Sequence, residues 1–571
     1  MVNVLRKSIR QYKKLSLTSP VLVAGEALIE MLIPYLVGIL IDKGIMKGNM
    51  GYINKWGLIL FVLTLISLSL GAAASYVSAH AAAGFAANLR KDMFYHIQDF
   101  SFSNIDKFSS ASLVTRLTTD VTNVQNAYQM LIRIAVRAPL MLIFSIIMSV
   151  IISPRLSLIF VVIAPIFVLI LALIIKSAYP YFPRIFKGYD VMNQDVRENI
   201  RGIREVKTYV QEEAQIEKFE KSSGFIYKLF STAQKIMSLN ALVVMAVLNI
   251  STLAICWFGA KEIVGGSLQT GQLVSMFSYS NSVLFSLNIL AMITTQLVIS
   301  EASGKRIAAV LTEKSAIENP RKPLKDVTNG DIVFDHVNFS YVPEKQILHD
   351  INIDAKPGMK VALVGETGAG KTTISNMLNR FYEIQSGKIT YDGVPISQIR
   401  KNDLRHSLSI VLQETHLFTG TIMDNIRFGK PDASDDEVYQ AARLAHADEF
   451  IHELDDGYET VIDGDGGDLS QGQMQLLSIA RAMIADEPVM ILDEATSSID
   501  TRTERMVQAG MDNLLAGRTS FVIAHRLSTI VNSDLILVLD HGHIIERGNH
   551  EELLKQKGYY YELYTGKKEL D

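Results

Sequence analysis

Six runs of about 20 mainly apolar residues constrain this chain more than any other feature: 18–41, 57–80, 130–153, 156–178, 239–261 and 272–299. At about 1.5 Å of rise per residue, each is long enough to cross roughly 30 Å of hydrocarbon as a helix. The chain is 49% apolar over 571 residues, with the apolar residues concentrated in the first half, and membrane insertion is the simplest cause. A chain of this length exceeds one core, so at least two domains are expected.

The flanks of these runs set their orientation. Arg6, Lys7, Arg10, Lys13 and Lys14, interleaved with Val4, Leu5, Ile9 and Tyr12, form a basic amphipathic stretch suited to a membrane surface. They place the N-terminus in the cytoplasm, and an even number of spans returns the chain there; Lys43, Lys47 and Lys55 in the opposite loop weaken the bias without reversing it. Ser153, Pro154 and Arg155 leave room only for a tight turn between the third and fourth spans. The long charged connections, 81–128 and 179–238, keep apolar residues at helical spacing, which predicts helices that continue into water.

Four charges fall in or near the spans. Glu26 and Glu30 share one face of the first helix, and Arg133 and Arg137 repeat that spacing near the start of the third. Glu26 and Arg137 lie at similar depth. Two readings stay open: an ion pair between helices with Arg133 snorkelling to the interface, or the polar wall of a cavity in which Glu26 handles cationic substrates. The single cysteine, Cys256, excludes an intrachain disulfide or a cysteine-cluster metal site, and its apolar neighbours predict a small buried hydrophobe. A net charge of -4 argues against a chain built to neutralise nucleic acid.

The last helical pattern runs on through Lys314, and a proline-containing charged stretch at 315–330 marks a boundary between domains 1–314 and 331–571. Residues 332–341 alternate as a strand ending in Tyr341, whose ring could stack on adenine or simply pack. The apolar run Val361 to Val364 leads into Gly365, Glu366, Thr367, Gly368, Ala369, Gly370, Lys371, Thr372 and Thr373, and helical spacing follows from Ile374 to Phe381. Strand, glycine loop and helix N-terminus is the context of a phosphate-binding loop. The glycines let successive N–H groups face one anion, Lys371 supplies a charge for the β and γ phosphates of ATP, and Thr372 offers a hydroxyl to Mg²⁺.

Val489 to Leu492 form a second short apolar strand that delivers Asp493 to the Mg²⁺ shell, with Glu494 one step on to orient or deprotonate the attacking water. The run from Leu469, LSQGQMQLLSIARAMI, puts Ser470 and Gly472 at the mouth of a strongly helical segment.

With these motifs in this order, the chain resembles an ATP-binding cassette (ABC) transporter of the exporter type over essentially its whole length. The resemblance implies a multi-domain chain, an α-helical six-span transmembrane domain followed by an α/β P-loop nucleotide-binding domain. It implies that Gln413 touches Mg²⁺ and the membrane domain, that Ser470, Gly472 and Gln473 form a signature facing ATP held by another subunit, and that Ser498 to Asp500 form the D-loop. His525 then becomes the switch histidine near the γ-phosphate, Tyr341 the stacking residue, and the stretches near Asp106 to Val121 and Glu198 to Val206 the coupling segments. Because the family builds each ATP site from two domains, a second half-transporter subunit is implied, as are the bilayer and a small amphipathic substrate, drug or lipid, but no nucleic acid; a peptide exporter or siderophore importer on the same fold is the alternative. Two positions depart from the pattern: Gln471 where glycine is usual, and Gly464 where a glutamate is common. Both fall on the surface offered to the partner's ATP, whereas the P-loop side is complete, which favours a heterodimer.

Overall fold

The computed structural model describes residues 1–323, 327–412, 415–464, 466–467, 469–493, 500–523 and 530–567, without the side chains of residues 294, 295, 298, 299 and 501. The chain forms two compact units: Met1–Gln98 with Ser110–Glu313, and Asp99–Ser109 with Lys314–Asp571.

Along the chain run helices α1 (Lys13–Leu40), α2 (Met50–Gln98), α3 (Phe102–Phe108, in the second unit), α4 (Val121–Ile132), α5 (Ile134–Ile152), α6 (Pro154–Ala178), α7 (Tyr181–Arg201), α8 (Glu212–Val264) and α9 (Thr270–Thr312). Among the described residues, six helical segments are long and apolar enough to cross a bilayer. Several run well beyond the apolar stretches, because the charged flanks keep the helical period. The tight turn is a single residue: Ser153 caps α6 by accepting from the Leu156 N–H, and Pro154 opens the helix where a missing N–H costs nothing. The Ser153 hydroxyl also donates to Glu262 Oε2 of α8 at 2.9 Å.

Helices α1 and α9 cross closely through glycines, since a Cβ on Gly271 would sit 2.1 Å from the Gly38 carbonyl oxygen. Ser275 and Tyr279 of α9 then donate to the Pro34 and Met31 carbonyls, both at 2.7 Å. Small residues at a membrane crossing let backbones approach and hydroxyls bridge them. Cys256 departs from expectation, being exposed on α8 beside exposed Trp257. In a membrane unit an apolar side chain can face lipid, so apolar neighbours in the sequence do not imply burial.

The second unit holds a four-stranded antiparallel sheet, a six-stranded, mainly parallel one and a two-stranded antiparallel one. Its strands are β1 (Ile332–Val342), β2 (Lys345–Ala355), β3 (Lys360–Val364), β4 (Ser386–Tyr391), β5 (Val394–Pro395), β6 (Leu408–Val411), β7 (Gly420–Thr421), β8 (Val461–Ile462), β9 (Val489–Asp493), β10 (Thr519–Ile523), β11 (Leu535–Asp540) and β12 (His543–Gly548). The first sheet has the order β2-β1-β4-β5 and the second β12-β11-β3-β10-β9-β6, with only β12 antiparallel to its neighbour. Val361–Val364 and Val489–Leu492 are buried, as strands covered on both faces must be. Their carboxyl ends, where such sheets bind ligands, carry the glycine loop and Asp493.

Helix α10 (Lys371–Leu378) follows the loop. It stops short of the expected Phe381 because Arg380 adopts φ +50° and its buried guanidinium bonds Glu383 Oε1 at 2.6 Å and the Ile396 and Ile399 carbonyls at 3.3 Å. Later come α11 (Gln471–Ala485), α12 (Thr501–Leu515) and α13 (Tyr559–Tyr564).

Helix α3 belongs to this unit. Phe102 packs on Phe381 with ring centroids 4.3 Å apart, and the Tyr382 hydroxyl donates to Asp106 Oδ2 at 2.6 Å. Asn104 donates to the Lys314 carbonyl and accepts from the Ala316 N–H, both at 3.0 Å. Burial, with the Asp106 carboxylate beside it, pushes the Tyr382 phenol well above its ordinary range. The segment that folds with the C-terminal unit therefore begins at Asp99 and ends at Ser109, upstream of most of the stretch expected from sequence, while Glu198 to Val206 lies in the first unit around the break at Gly202.

Candidate functional site

The loop after β3 takes its shape from three glycines. Gly365 has φ +153° and a Cβ there would meet the Leu539 carbonyl oxygen at 2.3 Å; Gly370 has φ +106°, a left-handed N-cap to α10. Lys371 opens that helix, 6% exposed, with its ammonium donating to the Gly365 carbonyl and to the Glu366 carbonyl at 3.0 Å. Burial pushes its pKa down, and the Asp493 and Glu366 carboxylates oppose the shift. A buried cation resting on loop carbonyls beside a glycine-shaped backbone fits a polyphosphate, toward which the ammonium can turn.

Thr372 Oγ1 lies 3.4 Å from Oδ2 of buried Asp493, so the loop and the end of β9 bring a hydroxyl and a carboxylate together. These are the hard oxygen donors that Mg²⁺ takes. Tyr341 stands beside the same helix, with its hydroxyl donating to Thr373 Oγ1 at 3.4 Å and accepting from Asn376 Nδ2 at 3.1 Å. The Phe339 and Tyr382 rings meet it edge-on at 4.8 and 4.9 Å, fixing its plane while the residue stays exposed. A fixed exposed aromatic face is what stacking on a base requires.

The signature residues cap α11. Ser470 Oγ accepts from the Gln473 N–H at 3.3 Å and Gln473 Oε1 from the Ser470 N–H at 2.8 Å, a capping box with Gly472 buried behind it. Asp500 caps α12 through the Arg502 and Thr503 N–H groups at 3.0 and 3.1 Å, and hydrogen bonding, from the Thr503 side chain first and then from these N–H groups, holds its carboxyl below the usual range. Gln413, Glu494, Ser498 and His525 lie outside the described residues.

One contact was not legible beforehand: the Tyr559 hydroxyl of α13 donates to Glu366 Oε1 at 2.7 Å, reaching the phosphate loop from near the C-terminus. The tyrosine run 559–561 is its only sequence signal.

In the first unit a cavity of about 710 Å³ opens between α5, α8 and α9, walled by apolar groups such as Met141, Leu248 and Phe285, with Asn281 and Asn288 among them. Its charged residues are Glu30, Arg133 and Arg137. Arg137 Nη2 lies 2.6 Å from Glu30 Oε2 and 3.5 Å from Glu26 Oε1, so both sequence readings hold in part: the ion pair exists, and it borders a cavity. Glu26, 8% exposed, is off the wall and faces α2, where a Cβ on Gly71 would sit 2.9 Å from its Oε1. It therefore does not supply the cationic-substrate contact expected of it. Arg137→Gln is expected to destabilise the protein by about 2–3 kcal/mol, because two intramembrane carboxylates lose their cation, and adding Glu26→Gln and Glu30→Gln should restore most of it. Thermal unfolding in detergent checks this.

Residues 17–287 match the family model of the ABC transporter transmembrane region, and residues 348–497 match that of the ABC transporter. An uncharacterized ABC transporter ATP-binding protein of Bacillus subtilis (strain 168), YfiB, is 34% identical over 97% of this chain and 97% of its own length. The chain belongs to the ABC transporter family. This ABC transporter is also 38% identical to a fatty acid ABC transporter ATP-binding/permease protein of Mycobacterium bovis (strain ATCC BAA-935 / AF2122/97), over 83% of this chain and 75% of that protein. It shares its fold with a bacterial Atm1-family ABC exporter solved with ATP bound, at a TM-score of 0.82 and 23% identity over 97% of this chain and 99% of the other. It is a multi-pass membrane protein whose cytoplasmic domain binds ATP, and it couples ATP hydrolysis to transport.

Proposed function

We propose that this ABC transporter exports amphipathic molecules, lipids or drugs, from the cytoplasmic side or inner leaflet. The observation that carries this is the cavity in the membrane unit, mainly apolar with a few polar and charged groups, which suits a molecule with a tail and a head. ATP with Mg²⁺ would bring the transferable γ-phosphoryl group and a counter-charge for it. The chain's own residues do the rest: Gly365–Thr373 bind the phosphates, Lys371 neutralises them, Thr372 and Asp493 hold the metal with Gln413, Tyr341 orients the base, Glu494 aims the water, and His525 senses the γ-phosphate.

Each site would be completed by the signature segment of a second half-transporter, and Ser470, Gly472 and Gln473 of this chain would complete the partner's site, so the working form is a dimer. We favour a heterodimer, because an intact P-loop and Glu494 beside an altered Gln471 and Gly464 make sense when two different chains share two unequal sites. Reconstituting the polypeptide in vesicles and measuring ATPase stimulation by a panel of lipids, drugs and peptides tests the export reading; stimulation by peptides alone would overturn it. Full, substrate-stimulated activity of this chain expressed alone, with two equivalent sites, would overturn the heterodimer.

A further inference from the structure

We infer that the membrane cavity selects amphipathic molecules with an acidic head group, and that Arg133 is the residue that receives it. This rests on the cavity being the transport site. Of the charged groups on its wall, Arg137 is already committed, 2.6 Å from Glu30 and 3.5 Å from buried Glu26, so its charge is spent on those carboxylates. Glu26, the remaining carboxylate of that cluster, is buried toward Gly71 and off the wall. Arg133 is different: its carbonyl accepts from the Arg137 N–H at 3.0 Å, but among the described residues no hydrogen bond or ion pair reaches its guanidinium, although the residue is half-buried and lines the cavity.

Its backbone explains the position. Arg133 occupies the break between α4 and α5 at φ -122°, ψ -71°, and the preceding carbonyl, of Ile132, accepts from Ser19 Oγ at 3.1 Å instead of serving only a helix. Nineteen residues of α5 separate it from the outer end of that helix, roughly 29 Å at the helical rise, which sets the guanidinium at the cytoplasmic edge of the hydrocarbon. Met141, part of the apolar wall, lies roughly two turns further along α5 toward its outer end. A lone guanidinium at the membrane edge of an apolar cavity can take a carboxylate or phosphate through two parallel N–H bonds, while a cationic head meets repulsion and finds Glu30 already engaged. The shared chemistry is a compact anionic head on an apolar tail.

The test uses the full-length transporter, with its second subunit if the dimer needs one, in nanodiscs of zwitterionic lipid without nucleotide. Equilibrium binding of oleate, oleyl phosphate, oleyl alcohol and oleylamine is compared across wild type, Arg133→Gln and Arg133→Lys. The expected result is that the two anions bind at least about tenfold tighter than the alcohol, that Arg133→Gln removes this preference while the alcohol is unaffected, and that Arg133→Lys keeps much of it. Relative affinity of oleate and oleyl phosphate separates a carboxylate from a phosphate head. Oleylamine binding as tightly as oleate, or an anion preference that survives Arg133→Gln, overturns the inference. ATPase stimulation is read separately: Arg133-dependent anion binding without stimulation keeps the inference and removes the export reading, whereas stimulation by amines that ignores Arg133 does the reverse.

Discussion

Glu494→Gln is expected to keep ATP binding and lose about 10²–10⁴-fold in turnover, because the metal and phosphate ligands remain while the group that aims and deprotonates water is gone. In the sequence Glu494 directly follows Asp493, which β9 carries to 3.4 Å from the Thr372 hydroxyl. Steady-state phosphate release and nucleotide affinity, measured together, decide the assignment. A variant that hydrolyses ATP at the wild-type rate would show that another group positions the water.

Lys371→Ala is expected to act earlier, on binding itself, weakening ATP by about 10- to 100-fold. The ammonium sits on the Gly365 and Glu366 carbonyls of the loop, so its removal takes away fixed charge where the phosphates would bind. The lysine also gives a pH signature. Burial lowers its pKa, so its charge is lost at lower pH than that of an ordinary lysine, near 10.4, and ATP affinity should decline on the alkaline side; bound polyphosphate favours the charged form and shifts that decline upward. Nucleotide binding measured against pH should show this decline in wild type and not in Lys371→Ala. Unchanged affinity in the variant would remove the phosphate-loop reading.

The features legible in the sequence are those written in local period and spacing. The apolar runs predict six spans because length and composition suffice, and the glycine loop predicts its own geometry because Gly365 and Gly370 occupy backbone states that other residues resist. What stayed hidden depends on partners distant in the chain. Helix α10 ends early because Arg380 bonds carbonyls beyond the next strand, and Tyr559 meets Glu366 across 193 residues. Cys256 was expected to be buried because apolar neighbours mean a core in water and mean nothing of the kind in lipid. The pairing of Arg137 with Glu30 more closely than with Glu26 turns on rotamers and one ångström, which residue counting does not resolve.

Asp99–Ser109 leaves the ribosome long before Lys314, with four hydrophobic spans still to be made, yet Phe381, Tyr382 and the Lys314 and Ala316 backbone wait for it. The ATPase unit therefore cannot finish its own surface from contiguous sequence. Maturation of the last part of the chain becomes a readout of whether the first part has been delivered, and a gene cut at the visible boundary would yield an enzyme with an aromatic scar where its missing helix belongs.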